Sequence, residues 1–210
     1  MLPYGVALAV VALVGPALPE PDRLGLTAVA VAPALLTAPA LATAIGGRMD
    51  RAGALVVGSI GMWLVLTLTR GPAAAAAAQG AMLTFVLGAG VTSIVPMLPQ
   101  LIRTVAQRVG DLAFLVLIAI ALSGAGELNA ANGLAALALS VAIAATTGVV
   151  ARIGGVDLRS ALAGAGSRDP AVATGLAIAV GGSVAIPLYS GLLLLAGSAV
   201  LTLWNRRKAR

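Results

Sequence analysis

The chain has 210 residues, 60% of them hydrophobic and 10% charged, with a formal net charge of +6 and a mean hydropathy of +1.06. A soluble domain carries roughly a quarter of its residues as charges, so composition excludes a soluble globular protein. The absence of cysteine and histidine excludes disulfides, thiol chemistry and histidine-based metal sites. With no nucleophile–base pair or carboxylate dyad in the sequence, no enzyme is expected.

Apolar stretches fall at about 4–18, 25–46, 52–69, 74–100, 111–126, 132–151, 158–181 and 185–204, on the scale needed to cross about 30 Å of hydrocarbon. The first, in "MLPYGVALAVVALVGPALPEP", lacks the positive n-region of a signal peptide and reads as a mature helix. The second, "GLTAVAVAPALLTAPALATAIG", carries Pro33 and Pro39 near its middle with Thr37 between them. A proline inside a membrane helix is often a simple kink; the alternative is a break whose freed backbone groups must face protein, water or ligand. Further along, Trp63 and Trp204 stand near segment ends as expected interfacial anchors. Asp111 and Asp157 read as helix caps at loop ends, and Asn132 as the cap of the helix after it.

The seventh stretch, "LRSALAGAGSRDPAVATGLAIAVG", sets Arg168, Asp169 and Pro170 in the middle of apolar sequence. Proline removes a helical hydrogen bond and disfavours helix at the residue before it. Gly164, Gly166 and Ser167 weaken the helix just upstream. These residues predict a break near 166–170, with Asp169 suited to cap the second half-helix. The plainer reading puts Arg168 and Asp169 in an ordinary loop, which leaves 170–181 too short to cross unless it forms a hairpin with 185–204.

Charge sorts these stretches into a topology. With eight crossings, one membrane face receives Arg48, Arg51, Arg103, Arg108, Arg152, Arg159, Arg206, Arg207, Lys208 and Arg210, and the other only Arg23 and Arg70. That bias predicts both termini in the cytoplasm of a multi-pass protein in a bacterial-type inner (plasma) membrane. The basic residues lie in short loops with no aromatic platform, so no nucleic-acid partner is expected. The chain reads as one membrane domain over 1–210, all-α, with two discontinuous segments placed one near each end. Such a pair is a pointer to a transporter's binding site.

The stretch from "LGLTAVAVAPALLTAPALATAIGG" to "SIGMWLVLT" resembles the fourth and fifth helices of bile acid:sodium symporter-like proteins, and "SRDPAVATGLAIAV…IPLYSGLLLLAG" their ninth and tenth. "VPMLPQLIR" is similar to the end of their sixth helix. The resemblance implies a ten-helix, inverted-repeat fold of which this chain carries helices three to ten. Core-like segments would be 4–69 and 132–204, and an incomplete panel 74–126. The missing panel helices would mean a late start codon, a homo-oligomer or partner subunit that supplies them, or a reduced protein. In the family's sodium-coupled members a Glu-x-Gly-x-Gln-Asn run faces a Ser-Asn pair. Here those positions fall on Arg168, Pro170, Val172 and Ala173, and on Thr37 and Ala38. Only the Thr37 hydroxyl remains of the usual sodium ligands, so sodium coupling is doubtful and no cofactor is expected.

The functional expectation is a secondary transporter for a small organic anion in the lipid bilayer. Arg168, Asp169, Thr174 and Thr37 are the candidate binding residues, and Pro33, Pro39 and Pro170 the helix-breaking ones. In this scheme Arg168 holds permanently the positive charge that a bound sodium ion would bring, and the N-terminus of the half-helix at Pro170 points its dipole at the same spot. The competing expectation is a non-transporting or partner-dependent subunit that keeps the symporter fold.

Overall fold

The structure, a computed structural model, describes residues 2–34, 38–68 and 129–208. Thr37, Asp111 and the panel-like stretch 74–126 lie outside the described residues. Among the described residues every regular element is a helix.

Helix α1 spans Leu2–Val14 and runs into a 3-10 turn, Gly15–Ala17. Helix α2, Glu20–Val31, begins about five residues before the apolar run. Pro21 lies in its first turn, where a missing N–H costs nothing, and Glu20 and Asp22 complement the positive end of the dipole. Arg23, expected in a loop, is therefore helical. Ala32 turns extended, with ψ at 147°, as the residue before a proline tends to do. The chain resumes as α3, Ala38–Ala44, and then α4, Met49–Leu68.

Helix α5, Ala130–Ile153, is capped by Asn129, whose side chain accepts the N–H of Asn132 at 2.8 Å. The cap expected at Asn132 is thus at Asn129. Asn132 is instead buried and its Nδ2 donates to Asp22 Oδ1 of α2 at 3.2 Å. Helix α6, Leu158–Gly164, starts at Asp157, which caps it by accepting from the N–H groups of Arg159 and Ser160. Helix α7, Pro170–Ala179, and α8, Ala185–Lys208, complete the chain. Two helices, Ala130–Ile153 and Ala185–Asn205, are long and apolar enough to cross a membrane.

The short helices pack in two pairs: α2 lies against α7, and α3 against α6. Around them α1 packs on α5, α4 on α3 and α6, and α8 on α2, α5 and α7. The buried side is built from small residues such as Ala7, Ala30, Ala42, Ala136 and Ala173, while Leu13, Ile153, Leu195 and Leu203 are all at least 60% exposed. Large apolar groups outside and alanine inside reverses the usual arrangement of a soluble core. It is the arrangement of helices that approach closely through small residues in an apolar medium. Trp63 departs from the interfacial role expected of it, being only 2% exposed, whereas Trp204 is 60% exposed.

The tightest approach joins α2 to the turn between α7 and α8. Ser183 N–H donates to the Pro21 carbonyl at 2.8 Å, and a Cβ on Gly25 would run into the Ser183 carbonyl. Gly25→Ala is expected to cost about 1–3 kcal/mol by overpacking. Gly58→Ala and Gly61→Ala, where an added Cβ meets nothing within 4 Å, should leave the thermal unfolding midpoint in detergent within error of the parent.

At the far end of α6, burial works against the Asp157 carboxylate, but hydrogen bonds from the Ser160 hydroxyl, Ser160 N–H and Arg159 N–H outweigh it and hold its pKa below the ordinary value. A depressed folded-state pKa contributes stability that is present above the unfolded value, about 3.9, and lost as pH falls through the folded one. Asp157→Ala should cost about 1 kcal/mol at neutral pH. The gap between parent and variant should then close as unfolding is followed from pH 6 down to about pH 3.

Candidate functional site

Pro33 and Pro170 free backbone groups in the interior, and each such group needs a partner. The two breaks supply one another. Asp169 N–H donates to the Pro33 carbonyl at 2.9 Å, so the interruption after α2 is bonded directly to the interruption before α7. Within the first break, Ala34 N–H donates to Ser59 Oγ of α4 at 2.6 Å. Within the second, Ala165 and Gly166 N–H both return to the Ala161 carbonyl, and the Ser167 hydroxyl donates to the Ala163 carbonyl. Asp169 Oδ1 accepts from Ala171 N–H at 3.0 Å and Val172 N–H at 3.1 Å, which caps α7.

Tyr4 of α1 ties these parts together. Its hydroxyl lies 2.7 Å from Ser59 Oγ, 3.1 Å from the Ser59 carbonyl and 3.3 Å from the Ala32 carbonyl. Its ring covers one face of Arg168, with the guanidinium carbon 3.9 Å from the ring centroid. Arg168 is 5% exposed, and neither Nε nor Nη2 has a hydrogen-bond partner among the described residues. An arginine stays charged under all ordinary conditions. Placing one at bilayer depth costs about 2.5–3.5 kcal/mol on insertion scales and more by other accounts, and a desolvated cation–π contact returns about 2 kcal/mol. The balance leaves a buried cation short of electrostatic compensation.

Beside Arg168 is a cavity of about 200 Å³. It is lined mostly by aliphatic residues of α3, α5, α6 and α8, with Ser140, Ser167, Ser190 and Ser198 among the lining residues. Ser167 and Ser198 donate their protons to helix carbonyls. Arg168 is the one charged residue among the described residues that line it.

Arg168, Asp169, Pro33 and Pro170 therefore meet at one crossing. Pro39 stands in the first turn of α3, on the far bank of the first break. Thr174 is turned away: its hydroxyl donates to the Pro170 carbonyl at 2.7 Å and it lines no part of the cavity. The N-terminal N–H groups of α7, expected to face an anion, are taken by the Asp169 side chain, so Arg168 is what the cavity meets. Tyr4, Ser59, Ser140 and Ser190 do not stand out in the sequence. The available signal is a hydroxyl inside an apolar run, and for Tyr4 that it is one of two tyrosines in the chain.

No protein-family model, curated protein or solved structure matches the chain.

The shared hydrogen bonds make Tyr4 and Ser59 a coupled pair. Ser59→Ala strips the acceptor from Ala34 N–H and should cost about 1–3 kcal/mol. Tyr4→Phe keeps the ring over Arg168 and should cost about 1 kcal/mol. The double variant should lose measurably less than the sum, because both changes break the same contact; unfolding midpoints of the four proteins in detergent read this directly.

Proposed function

We propose that the protein is a secondary-transporter-like membrane protein that moves a small organic anion by alternating access across a bacterial-type inner membrane. The observation that carries this reading is the buried, incompletely partnered guanidinium of Arg168, set beside a cavity where two helix breaks cross. Irregular backbone at membrane depth is tolerated where it is enclosed by protein or lines a cavity, and crossed discontinuous helices at the midplane are a transporter's way of building a solute site.

This reading takes the fold as an inverted repeat of the bile acid:sodium symporter-like kind, with eight crossings and both termini cytoplasmic; part of the helix packing is consistent with a repeat. Exchanging α1–α4 for α5–α8 carries the α2–α7 contact onto α6–α3, α1–α2 onto α5–α6, α8–α2 onto α4–α6 and α3–α4 onto α7–α8, whereas the α5–α8 packing has no comparable α1–α4 counterpart. In this scheme the charge of Arg168 takes the place of a coupling sodium ion, and the anion neutralises it during each cycle. A partner-dependent, non-transporting subunit is the competing role, and flux separates the two.

The test is uptake by purified protein in proteoliposomes, with labelled 2-oxopentanoate and 2-oxoglutarate as probes, acids strong enough to stay ionised and outside the bilayer. Saturable uptake of at least one is expected, unaffected by a sodium gradient. Arg168→Gln should reduce it to the level of empty liposomes at equal protein density. Uptake unchanged in Arg168→Gln, or none by the parent, refutes the transport reading.

A further inference from the structure

We infer that the cavity beside Arg168 selects a monocarboxylate with a short aliphatic body, paired in plane with the Arg168 guanidinium. This rests on the anion-binding reading of the site and narrows it to a chemical class.

Three observations lead there. The first is which atoms of Arg168 are unpartnered. Nε and Nη2 lie on the same edge of the guanidinium, and their N–H bonds run side by side, the spacing that accepts both oxygens of one carboxylate. Tyr4 covers a face of the same group at 3.9 Å, which leaves pairing in the guanidinium plane, and a planar anion suits that geometry. A tetrahedral oxyanion would leave an oxygen out of that plane against apolar wall, with a desolvation cost.

The second is the charge count of the lining. With Arg168 the single charged lining residue among the described residues, one negative charge is matched and a second is not. A dicarboxylate or a phosphate would bury an unpaired charge, which is far more costly than burying an aliphatic tail. The walls favour the tail: Leu41, Ile143, Leu162, Leu193 and Leu194 are aliphatic. Ser140 of α5 and Ser190 of α8 offer hydroxyls from facing helices and leave room for one polar substituent.

The third is size. The cavity measures about 200 Å³, below the roughly 300 Å³ at which pockets for drug-sized ligands begin.

Binding to the purified full chain in detergent tests the class without requiring transport. Pentanoate, glutarate and pentylammonium share five carbons and differ in charge. Pentanoate is expected to bind saturably and to raise the unfolding midpoint, with glutarate at least about tenfold weaker and pentylammonium indistinguishable from sodium chloride. Arg168→Lys keeps the charge and removes the fork, and should weaken pentanoate by about tenfold. Glutarate binding as tightly as pentanoate, or pentanoate binding equally to parent and Arg168→Lys, overturns the inference while leaving an anion site in place. Pentanoate binding without any flux in proteoliposomes supports the inference and overturns transport. If no probe binds the folded parent protein, the inference fails along with the anion site itself.

Discussion

The hydrogen bond from Asp169 N–H to the Pro33 carbonyl joins two places where the helical ladder stops. In an interior without water, a backbone group that leaves a helix must be satisfied by another part of the protein, and each failure costs several kcal/mol. The two interruptions are tolerated because they meet. Tyr4 and Ser59 complete the hydrogen bonding by reaching the Ala32 carbonyl and the Ala34 N–H. Separate the breaks by a few ångströms and each would hold orphaned polar groups in oil.

Close approach of that kind demands small residues. Alanine lines the packed side of nearly every helix, and Gly25 lets the turn at Ser183 settle onto α2. In an apolar surrounding, burial of large side chains offers little driving force between helices, so dispersion at short range and interhelical hydrogen bonds must do the holding. The leucines and valines, freed from the core, face outward on α5 and α8. The same logic explains how Arg168 is held: the Tyr4 ring and the helix break around it fix its position, while no described side chain completes its hydrogen bonding.

Much of this is legible along the chain. Pro33 and Pro170 end or begin helices because of local sterics, and Asp169 and Asp157 cap because a short carboxylate ahead of a helix accepts the nearest free N–H groups. Such effects act within about four residues. Where the fold departs from sequence-based expectation, distance is the reason. Asn132 suits a cap by its position in an apolar run, yet Asn129 lies one turn earlier and Asp22 waits across the bundle. Thr174 is little more than a turn from Asp169 and looks available, but a helical threonine can bond back to the carbonyl four residues earlier, and this one does. Trp63 lies near a segment end, while packing buries it.

Composition and local chain stiffness by themselves determined that this protein is helical and apolar and where its helices are weakest, since residue type sets transfer energy and proline sets its own backbone angles. Only the tertiary structure decided that the interruptions touch, that Tyr4 at the start of the chain lies over Arg168 near its end, and that the buried guanidinium, two of its nitrogens unpartnered among the described residues, stands beside a cavity. The physical reason is that a helix rotates each side chain by a fixed angle, but which neighbour that side chain meets depends on how the rods cross. Crossing is settled by the packing of all the small residues together.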